Sequence, residues 1–250
     1  MNYILVIETS DYLHRLEANQ FNLFTQKLHN GISKLIKKFN GKILNRNDNT
    51  YVVAFESVTN IILCALKVQS NFKYITPKFD TSIRALKMGI AHNSNQFNAQ
   101  RLATIICEIV KNQLVITSET KADYEKENRN IFINNEHIRT LKTTEVEFLK
   151  HLMDYIETTW NNTDFNVVSL SRAIELSASQ IYRRLKSLTG KSPSTFIRDF
   201  RLNRAMQMMH HKKGNISNIA QWSGFNSATY FSKCFKEKFH ILPSKYTQQH

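Results

Sequence analysis

The chain has 250 residues, which at roughly 100–200 residues per domain predicts one or two domains. Its 42% hydrophobic and 22% charged residues are typical of a globular protein, and only six glycines and three prolines exclude collagen-like segments and long flexible linkers. Of the net charge of +14, residues 165–250 carry +11 and residues 1–164 only +3, so the basic part is either a solubilising surface or the binding surface for a polyanion.

The cellular compartment follows from signals that the sequence lacks. The longest apolar run near the start, Tyr3–Ile7, is far shorter than the ~18 residues that a membrane helix needs, and no basic segment leads into an apolar export signal. The three cysteines, Cys64, Cys107 and Cys234, are far apart and form no CxxC pair. We therefore expect a cytoplasmic protein that contacts no membrane and has neither a disulfide framework nor a zinc site.

The first 120 residues alternate strand-like and helix-like patterns. Ile4–Ile7 is apolar enough for a buried strand, and a helix is predicted from about Tyr12 to Phe39, where apolar residues recur every three or four positions. The later strands are predicted at Lys42–Leu44, Tyr51–Phe55, Leu86–Ala91 and Leu114–Thr117, and the later helices around Ile61–Phe72 and Leu102–Ile109. This order, β-α-β-β-α-β-α-β, predicts an α+β sandwich of the ferredoxin-like kind with helices on one face of the sheet.

A polar stretch, residues 118–142, separates this half from the rest of the chain. It is rich in charged side chains, and from Thr143 onward every pattern is helical, beginning with Val146–Thr159. We predict a first domain at 1–120, a linker at 121–142 and an all-α domain at 143–250.

An internal repeat at an offset of 50 residues organises the C-terminal half. Ser177–Lys186 matches Ser227–Lys236, and Ser177 with Gln180 is spaced like a capping box, which predicts that a helix begins there. A short helix and a tight turn are predicted before each segment, at Leu170–Leu176 and Ile216–Phe225. Two helix-turn-helix motifs are the simplest interpretation.

The second helix of each motif is predicted to have an apolar back and a polar front. The apolar stripes are Ile181, Leu185 and Leu188 in one helix and Phe231, Phe235 and Phe239 in the other. The polar fronts, spaced i, i+3, i+4 and i+7, are Ser179, Tyr182, Arg183 and Lys186, then Thr229, Ser232, Lys233 and Lys236. Such a stripe is ordinarily a solvated face, but its recurrence within the basic half favours helices that enter the DNA major groove.

These residues resemble the AraC/XylS family of bacterial transcription regulators over Phe165–Tyr246, about a third of the chain. The segments that carry the resemblance are Leu170–Ala173, Ser177–Lys186, Leu188–Pro193, Phe196–Arg198, Arg201-Leu202, Ala205, Ile219-Ala220, Gly224-Phe225, Tyr230–Lys233, Phe235-Lys236 and Pro243–Tyr246. The resemblance implies an all-α domain with two helix-turn-helix motifs joined by a long helix, here about Ser194–His210. It also implies that one helix of each motif enters successive segments of the major groove.

The resemblance assigns base-reading positions as well. They fall on Ser179, Tyr182 and Arg183 in the first motif and on Ala228, Thr229, Ser232 and Lys233 in the second, and the polar fronts add Lys186 and Lys236 as candidate DNA-binding residues. One departure is Glu175, which stands where a small turn residue is usual, whereas the second motif keeps Gly224. Double-stranded DNA is the expected partner, and the resemblance implies RNA polymerase as another.

The N-terminal half resembles class III nucleotide cyclase domains. Asn40–Phe55 is similar to that family's Gly-Gly-Arg-Val-Val-Lys-x-x-Gly-Asp-Gly motif and the strand after it. Cys64–Gln69, Lys87–His92 and Arg101-Leu102 are similar to further cyclase segments. The resemblance implies a cyclase-like sandwich for this half.

Most catalytic positions implied by this resemblance have changed. The second metal carboxylate would fall on Asn49, the base-reading lysine on Asn45 and the ribose-orienting asparagine on Phe97. Two-metal cyclisation is not expected, because an amide replaces a carboxylate poorly as the ligand of a hard cation; no metal and no cofactor is implied. The candidate ligand-binding residues are Glu8 at the first carboxylate position, Asp48 one residue out of register, and Arg101, which keeps its type.

Two functions from different classes fit these patterns. The first is a sequence-specific, DNA-binding transcription regulator of the AraC/XylS type that is not an enzyme. Its N-terminal half is then either an inert module that forms a homodimer or a sensor for a nucleotide or another small-molecule effector. The alternative is a nucleotide cyclase with an appended DNA-binding module, and Asn45 and Asn49 count against it.

Overall fold

The computed structural model describes residues 2–9, 18–47, 50–75, 86–111, 114–129 and 138–249. The chain divides into two compact parts, an N-terminal domain over Met1–Lys150 and a C-terminal domain over His151–His250. The N-terminal domain is α+β and the C-terminal domain is all-α. Among the described helices, none is long and apolar enough to cross a membrane.

A six-stranded sheet forms the centre of the N-terminal domain. Its strands are β1 (Asn2–Thr9), β2 (Lys42–Arg46), β3 (Thr50–Phe55), β4 (Leu86–Asn93), β5 (Leu114–Thr117) and β6 (Arg139–Leu141), in the spatial order β2-β3-β1-β4-β5-β6. The helices are α1 (Ala18–Lys38), α2 (Val58–Ile75), α3 (Gln96–Ile109), α4 (Ser118–Glu127) and α5 (Thr143–Thr159), the last of which continues past Lys150. Strand β1 is antiparallel to both β3 and β4, which gives the ferredoxin-like arrangement that the element order predicts.

Both faces of this sheet are buried, because the central strands are apolar at every position. Leu5 and Ile7 of β1 belong to a core that includes residues of α1 and α2, whereas Ile4 and Val6 point to the opposite face and are equally buried. Helix α3 covers that face so closely that a Cβ atom on Gly89 would lie 2.3 Å from the backbone oxygen of Ala103. The expectation of helices on one face only is therefore wrong, since a strand that is apolar on both sides requires cover on both.

The segment 121–142, predicted as a linker, holds regular structure in the N-terminal domain. Most of α4 lies in it, as does β6, which pairs in parallel with β5. Tyr124 of α4 is buried in the core of the domain, whereas Lys121 and Glu125 form an i,i+4 ion pair of 3.6 Å. The many charged residues occupy the outer side of a short amphipathic helix, which explains why the composition suggested a linker.

The C-terminal domain contains two helix-turn-helix motifs joined by a long helix, as the sequence predicts. The first motif comprises α6 (Val167–Ala173) and α7 (Ala178–Thr189), the connecting helix is α8 (Pro193–His210), and the second motif comprises α9 (Ile216–Trp222) and α10 (Ala228–Phe239), followed by α11 (Pro243–Gln249). Asparagine and serine caps begin these helices, namely Asn166, Ser177, Ser192, Asn215 and Ser227. Left-handed residues end α7 and α10, at Gly190 and His240.

Candidate nucleic-acid interface

Local side-chain chemistry fixes where α7 and α10 begin. The backbone N–H of Gln180 donates to Ser177 Oγ at 3.2 Å and the Ser177 N–H donates to Gln180 Oε1 at 2.9 Å, which is the capping box that the spacing predicts. In α10 the Tyr230 N–H donates to Ser227 Oγ at 3.3 Å. Each helix therefore starts at a defined residue directly after its turn, and its first turn is free of further chain on the N-terminal side.

The apolar backs of both helices are buried, which fixes their rotation about the helix axis. Ile181, Leu185 and Leu188 of α7 are buried, as are Phe231, Phe235 and Phe239 of α10. The three phenylalanines also contact one another: ring centroids lie 5.7 Å apart between Phe231 and Phe235 and 4.6 Å apart between Phe235 and Phe239. With the backs fixed in this way, the opposite faces must point to solvent.

The candidate DNA-binding residues lie on those opposite faces. Eight of the nine are exposed: Ser179, Tyr182, Arg183, Lys186, Ala228, Thr229, Lys233 and Lys236. Ser232 is half-buried and its hydroxyl donates to the backbone oxygen of Ala228 at 2.9 Å. Within the described parts of the chain, no carboxylate forms an ion pair with any of the four basic residues, so their charges remain available to an anionic partner.

Tyr230 belongs to the same exposed surface, although the polar-front pattern did not select it. Its side chain is 53% exposed on the first turn of α10. Hydrogen bonding with Cys234 raises the pKa of this phenol, and the nearby Arg198 guanidinium acts in the opposite direction. The signal in the sequence was the match of Tyr230 to Gln180 at the offset of 50, since both positions lie in the first turn of their helices.

Polar contacts fasten both motifs to α8. Lys191, in the turn after α7, forms a 2.5 Å ion pair with Asp199 of α8. From α10, Lys238 donates to the backbone oxygen of Asp199 at 2.9 Å and to the side-chain oxygen of Asn203. One helical turn of α8 thus binds the end of the first motif and the end of the second.

The candidate ligand-binding residues of the N-terminal domain are not brought into one site. Glu8 is half-buried on β1, opposite Lys87 of β4, and Arg101 is half-buried on α3. Asp48 lies outside the described residues, as does Asn49. Among the described residues, no three His, Cys, Asp or Glu side chains form a group that could hold a metal ion.

The two positions where the cyclase resemblance places polar substrate contacts are both exposed. Asn45 lies on the edge strand β2, and Phe97 is 72% exposed on the first turn of α3. Burial raises the pKa of the Cys107 thiol on α3 well above its ordinary value, and the charge of Glu8 raises it further. A thiol held neutral in this way is a core residue and not a nucleophile.

Sequence comparison places known helix-turn-helix proteins against the C-terminal domain. A family model described as a helix-turn-helix domain matches residues 170–249. The chain is 30% identical over 86 residues to the HTH-type transcriptional regulator MtrA of Neisseria gonorrhoeae, covering 34% of this chain and 29% of that protein. It is 36% identical over 74 residues to the HTH-type transcriptional activator RhaS of Mannheimia succiniciproducens, covering 30% of this chain and 28% of that protein.

A longer match extends beyond the C-terminal domain. Over 161 residues the chain is 30% identical to a protein of Formosa agariphila named histidine kinase P4, covering 63% of this chain but 11% of the kinase. Because 63% exceeds the share of the chain in His151–His250, the similarity includes part of the N-terminal domain. The chain spans less than a third of the length of each of these curated relatives.

Solved structures resemble each half of the chain. The C-terminal domain of the response regulator yesN from Fusobacterium nucleatum is 22% identical with a TM-score of 0.39, covering 40% of this chain and 98% of that one. The adenylyl cyclase CyaB from P. aeruginosa is 14% identical with a TM-score of 0.42, covering 51% of this chain and 81% of that one. The matches in sequence show that the C-terminal region carries a helix-turn-helix domain similar to those of AraC-type regulators.

Proposed function

We propose that this chain is a sequence-specific, DNA-binding transcription regulator that inserts α7 and α10 into successive segments of the major groove. The observation that carries the proposal is the paired geometry of these helices, each with a buried apolar back and an exposed polar and basic front. The net charge of +11 over residues 165–250 supports it, because phosphate neutralisation supplies much of the affinity for DNA.

Roles for the individual residues follow from their chemistry. Arg183 matches the paired acceptors on the major-groove edge of guanine, and Lys233 takes the equivalent place on α10. Ser179, Ala228, Thr229 and Ser232 are small enough to let the backbone approach the base edges, and Tyr182 reaches a thymine methyl group or a phosphate. Lys186 and Lys236, one helical turn further along, bind phosphates.

The proposal includes partners beyond DNA. RNA polymerase is one, because a relative of the C-terminal domain is named a transcriptional activator. The N-terminal domain forms a homodimer or senses a nucleotide or another small molecule, and the similarity to a protein named as a kinase extends into this domain. Such a regulator acts in the cytoplasm, where bacterial DNA lies.

Selection of bound DNA from a random library by the full chain tests the proposal. The expected product is a non-palindromic sequence, and footprinting should show two protected groove segments about one helical turn (~34 Å) apart for each copy of the chain. Recovery of no preferred sequence, or protection of one segment only, would contradict insertion of both helices. The double variant Arg183→Ala/Lys233→Ala is the control and should enrich no sequence.

Salt dependence provides a second test. With six to ten phosphate contacts per copy, the logarithm of the affinity should fall with the logarithm of the salt concentration at a slope of roughly −5 to −9. We expect this slope for the full chain on one selected site, and a steeper slope with much higher avidity on paired sites if the N-terminal domain dimerises. Affinity that is independent of salt would rule out DNA as the partner of this basic surface.

A further inference from the structure

The side chain of Arg201 joins two separate segments of the C-terminal domain at the middle of α8. Its Nε donates to the backbone oxygen of Trp160 at 2.7 Å, and one terminal nitrogen donates to the backbone oxygens of Asn162 at 2.6 Å and Phe165 at 3.3 Å. These three acceptors belong to the connection between α5 and α6, immediately before the first helix-turn-helix motif.

This guanidinium is half-buried, and its hydrogen-bond acceptors are neutral carbonyl groups. Burial lowers the pKa of Arg201 from its ordinary value, which shows that enclosing the charge is costly. The guanidinium carbon also lies 5.8 Å from the ring centroid of Phe165, which is itself buried. A fork of several donors in one plane is needed to satisfy three carbonyls at once, and arginine alone among the side chains has it.

The second motif meets the same point from the other side. Gly224, in the turn between α9 and α10, is so close that a Cβ atom there would lie 2.8 Å from Arg201 Nε and 2.8 Å from the Trp160 oxygen. The hydrogen bond between Arg201 and Trp160 is therefore covered by the turn of the second motif. Three segments thus meet at one side chain: the entry to the first motif, the connecting helix and the turn of the second motif.

We infer that Arg201 is a positioning residue that sets the distance and rotation between the two DNA-reading helices. It touches neither α7 nor α10 through the contacts above, but it holds the start of α6 and the end of α9 at one place on α8. Since α7 follows α6 and α10 follows α9 through turns of a few residues, their separation depends on this junction. The preference of the protein for one spacing between the two half-sites should therefore depend on Arg201.

This inference rests on the proposed function, and its experiment separates the two. A DNA sequence selected by the wild-type chain is compared with versions that carry one base pair more or less between the two protected segments. Each base pair moves the second segment by ~3.4 Å and rotates it by about 35°. The wild type should lose about tenfold or more in affinity for either altered spacing, comparable with one or two mismatched bases.

The variant Arg201→Lys keeps the charge but cannot bind three carbonyls, and Arg201→Met removes both the charge and the donors. We expect both variants to bind the selected site more weakly and to show a spacing penalty of about threefold or less, because the two motifs move more independently. Arg204→Lys is the matched control, since Arg204 lies on the same helix and donates only to the neighbouring Gln207 side chain at 3.3 Å. It should keep the full spacing penalty.

The outcomes are distinguishable. If wild-type chain binds no DNA, the proposed function fails, and the role of Arg201 fails with it. If the wild type binds and Arg201→Lys, folded by its tryptophan fluorescence, loses the same factor of affinity at every spacing, Arg201 serves stability alone and the inference is overturned. Should Arg201→Met be unfolded, Arg201→Lys decides, and retention of the wild-type penalty by that variant likewise overturns the inference.

Discussion

The two helix-turn-helix motifs repeat at two different offsets. Their second helices, α7 and α10, and the serines that cap them are 50 residues apart, but their first helices, α6 and α9, are 49 residues apart. The second turn therefore contains one residue more than the first. Both turns nevertheless close in the same way, since Leu176 N–H donates to the Ser171 oxygen at 3.2 Å and Phe225 N–H donates to the Ala220 oxygen at 3.0 Å.

The residue at the bend of each turn is in the left-handed region, with different consequences. Glu175 has φ of 53° in the first turn, and Gly224 has φ of 75° in the second. A residue with a Cβ atom is strained in that region, by about 1–2 kcal/mol. The first turn accepts this strain because Glu175 is exposed, whereas the second turn has no room for a Cβ atom beside Arg201 and Trp160. The same backbone shape thus needs glycine in the second motif because of packing, and would be only favoured by glycine in the first.

The largest effect should come from breaking the second turn. Gly224→Ala combines the left-handed strain with a Cβ atom 2.8 Å from two neighbouring atoms, and we expect it to destabilise the C-terminal domain by about 3 kcal/mol. Both tryptophans of the chain, Trp160 and Trp222, lie in this domain, so urea unfolding followed by tryptophan fluorescence reports its stability.

Glu175→Ala is the matched control, because that position already carries a Cβ atom at nearly the same φ. Its stability should change by no more than about 0.5 kcal/mol. Equal losses in both variants would mean that the two turns are equivalent and that the close approach of Arg201 to Gly224 has no cost.

The DNA-facing residues provide the next comparison, since Tyr182-Arg183 in α7 corresponds to Ser232-Lys233 in α10. We expect Arg183→Ala and Lys233→Ala each to weaken binding to a selected site by ~1–3 kcal/mol and to relax the preference at one or two base positions. The loss should be larger for Arg183, because a guanidinium binds guanine through two parallel hydrogen bonds and an ammonium does not.

The relaxed positions should lie in different halves of the site, which a repeat of the selection with each variant would show. Lys245→Ala serves as the control, because Lys245 is an exposed cation of the same domain on α11. A variant of Arg183 or Lys233 that lost affinity equally for all sequences would identify that residue as a phosphate contact.

The sequence predicted the C-terminal domain more completely than the N-terminal domain, and the reason is physical. Helix caps, apolar stripes and a repeated segment are local signals, and each determined one element, as Ser177 did for the start of α7. The single offset of 50 was insufficient because the extra residue of the second turn falls between two local signals. The proximity of Arg201 to Gly224 had no signal at all, since it joins positions 23 apart through tertiary packing.

The N-terminal domain depended more on contacts between distant segments. The charged outer side of α4 concealed the buried Tyr124, and β6 has only three residues, too few for a recognisable alternation. The cover of α3 over the second face of the sheet requires the small Gly89 on a strand 14 residues from Ala103, which no periodicity indicates. The candidate ligand-binding positions Glu8 and Arg101 were matched by resemblance alone, and the structure places them on separate elements.

The smallest effect should come from relieving the first turn. Glu175→Gly removes a Cβ atom from a residue with φ of 53°, and we expect it to stabilise the C-terminal domain by about 1 kcal/mol, the left-handed strain less the added freedom of glycine in the unfolded chain. The change also removes one of the three acidic side chains in residues 165–250, so relief of an electrostatic cost could give the same sign. Glu175→Gln separates the causes, because it removes the charge and keeps the strained backbone. We expect no more than about 0.3 kcal/mol from the glutamine variant in the same urea titration, as for surface substitutions generally; a stabilisation by glutamine equal to that by glycine would assign the effect to charge and would mean that the first turn, like the second, is not strained by its side chain.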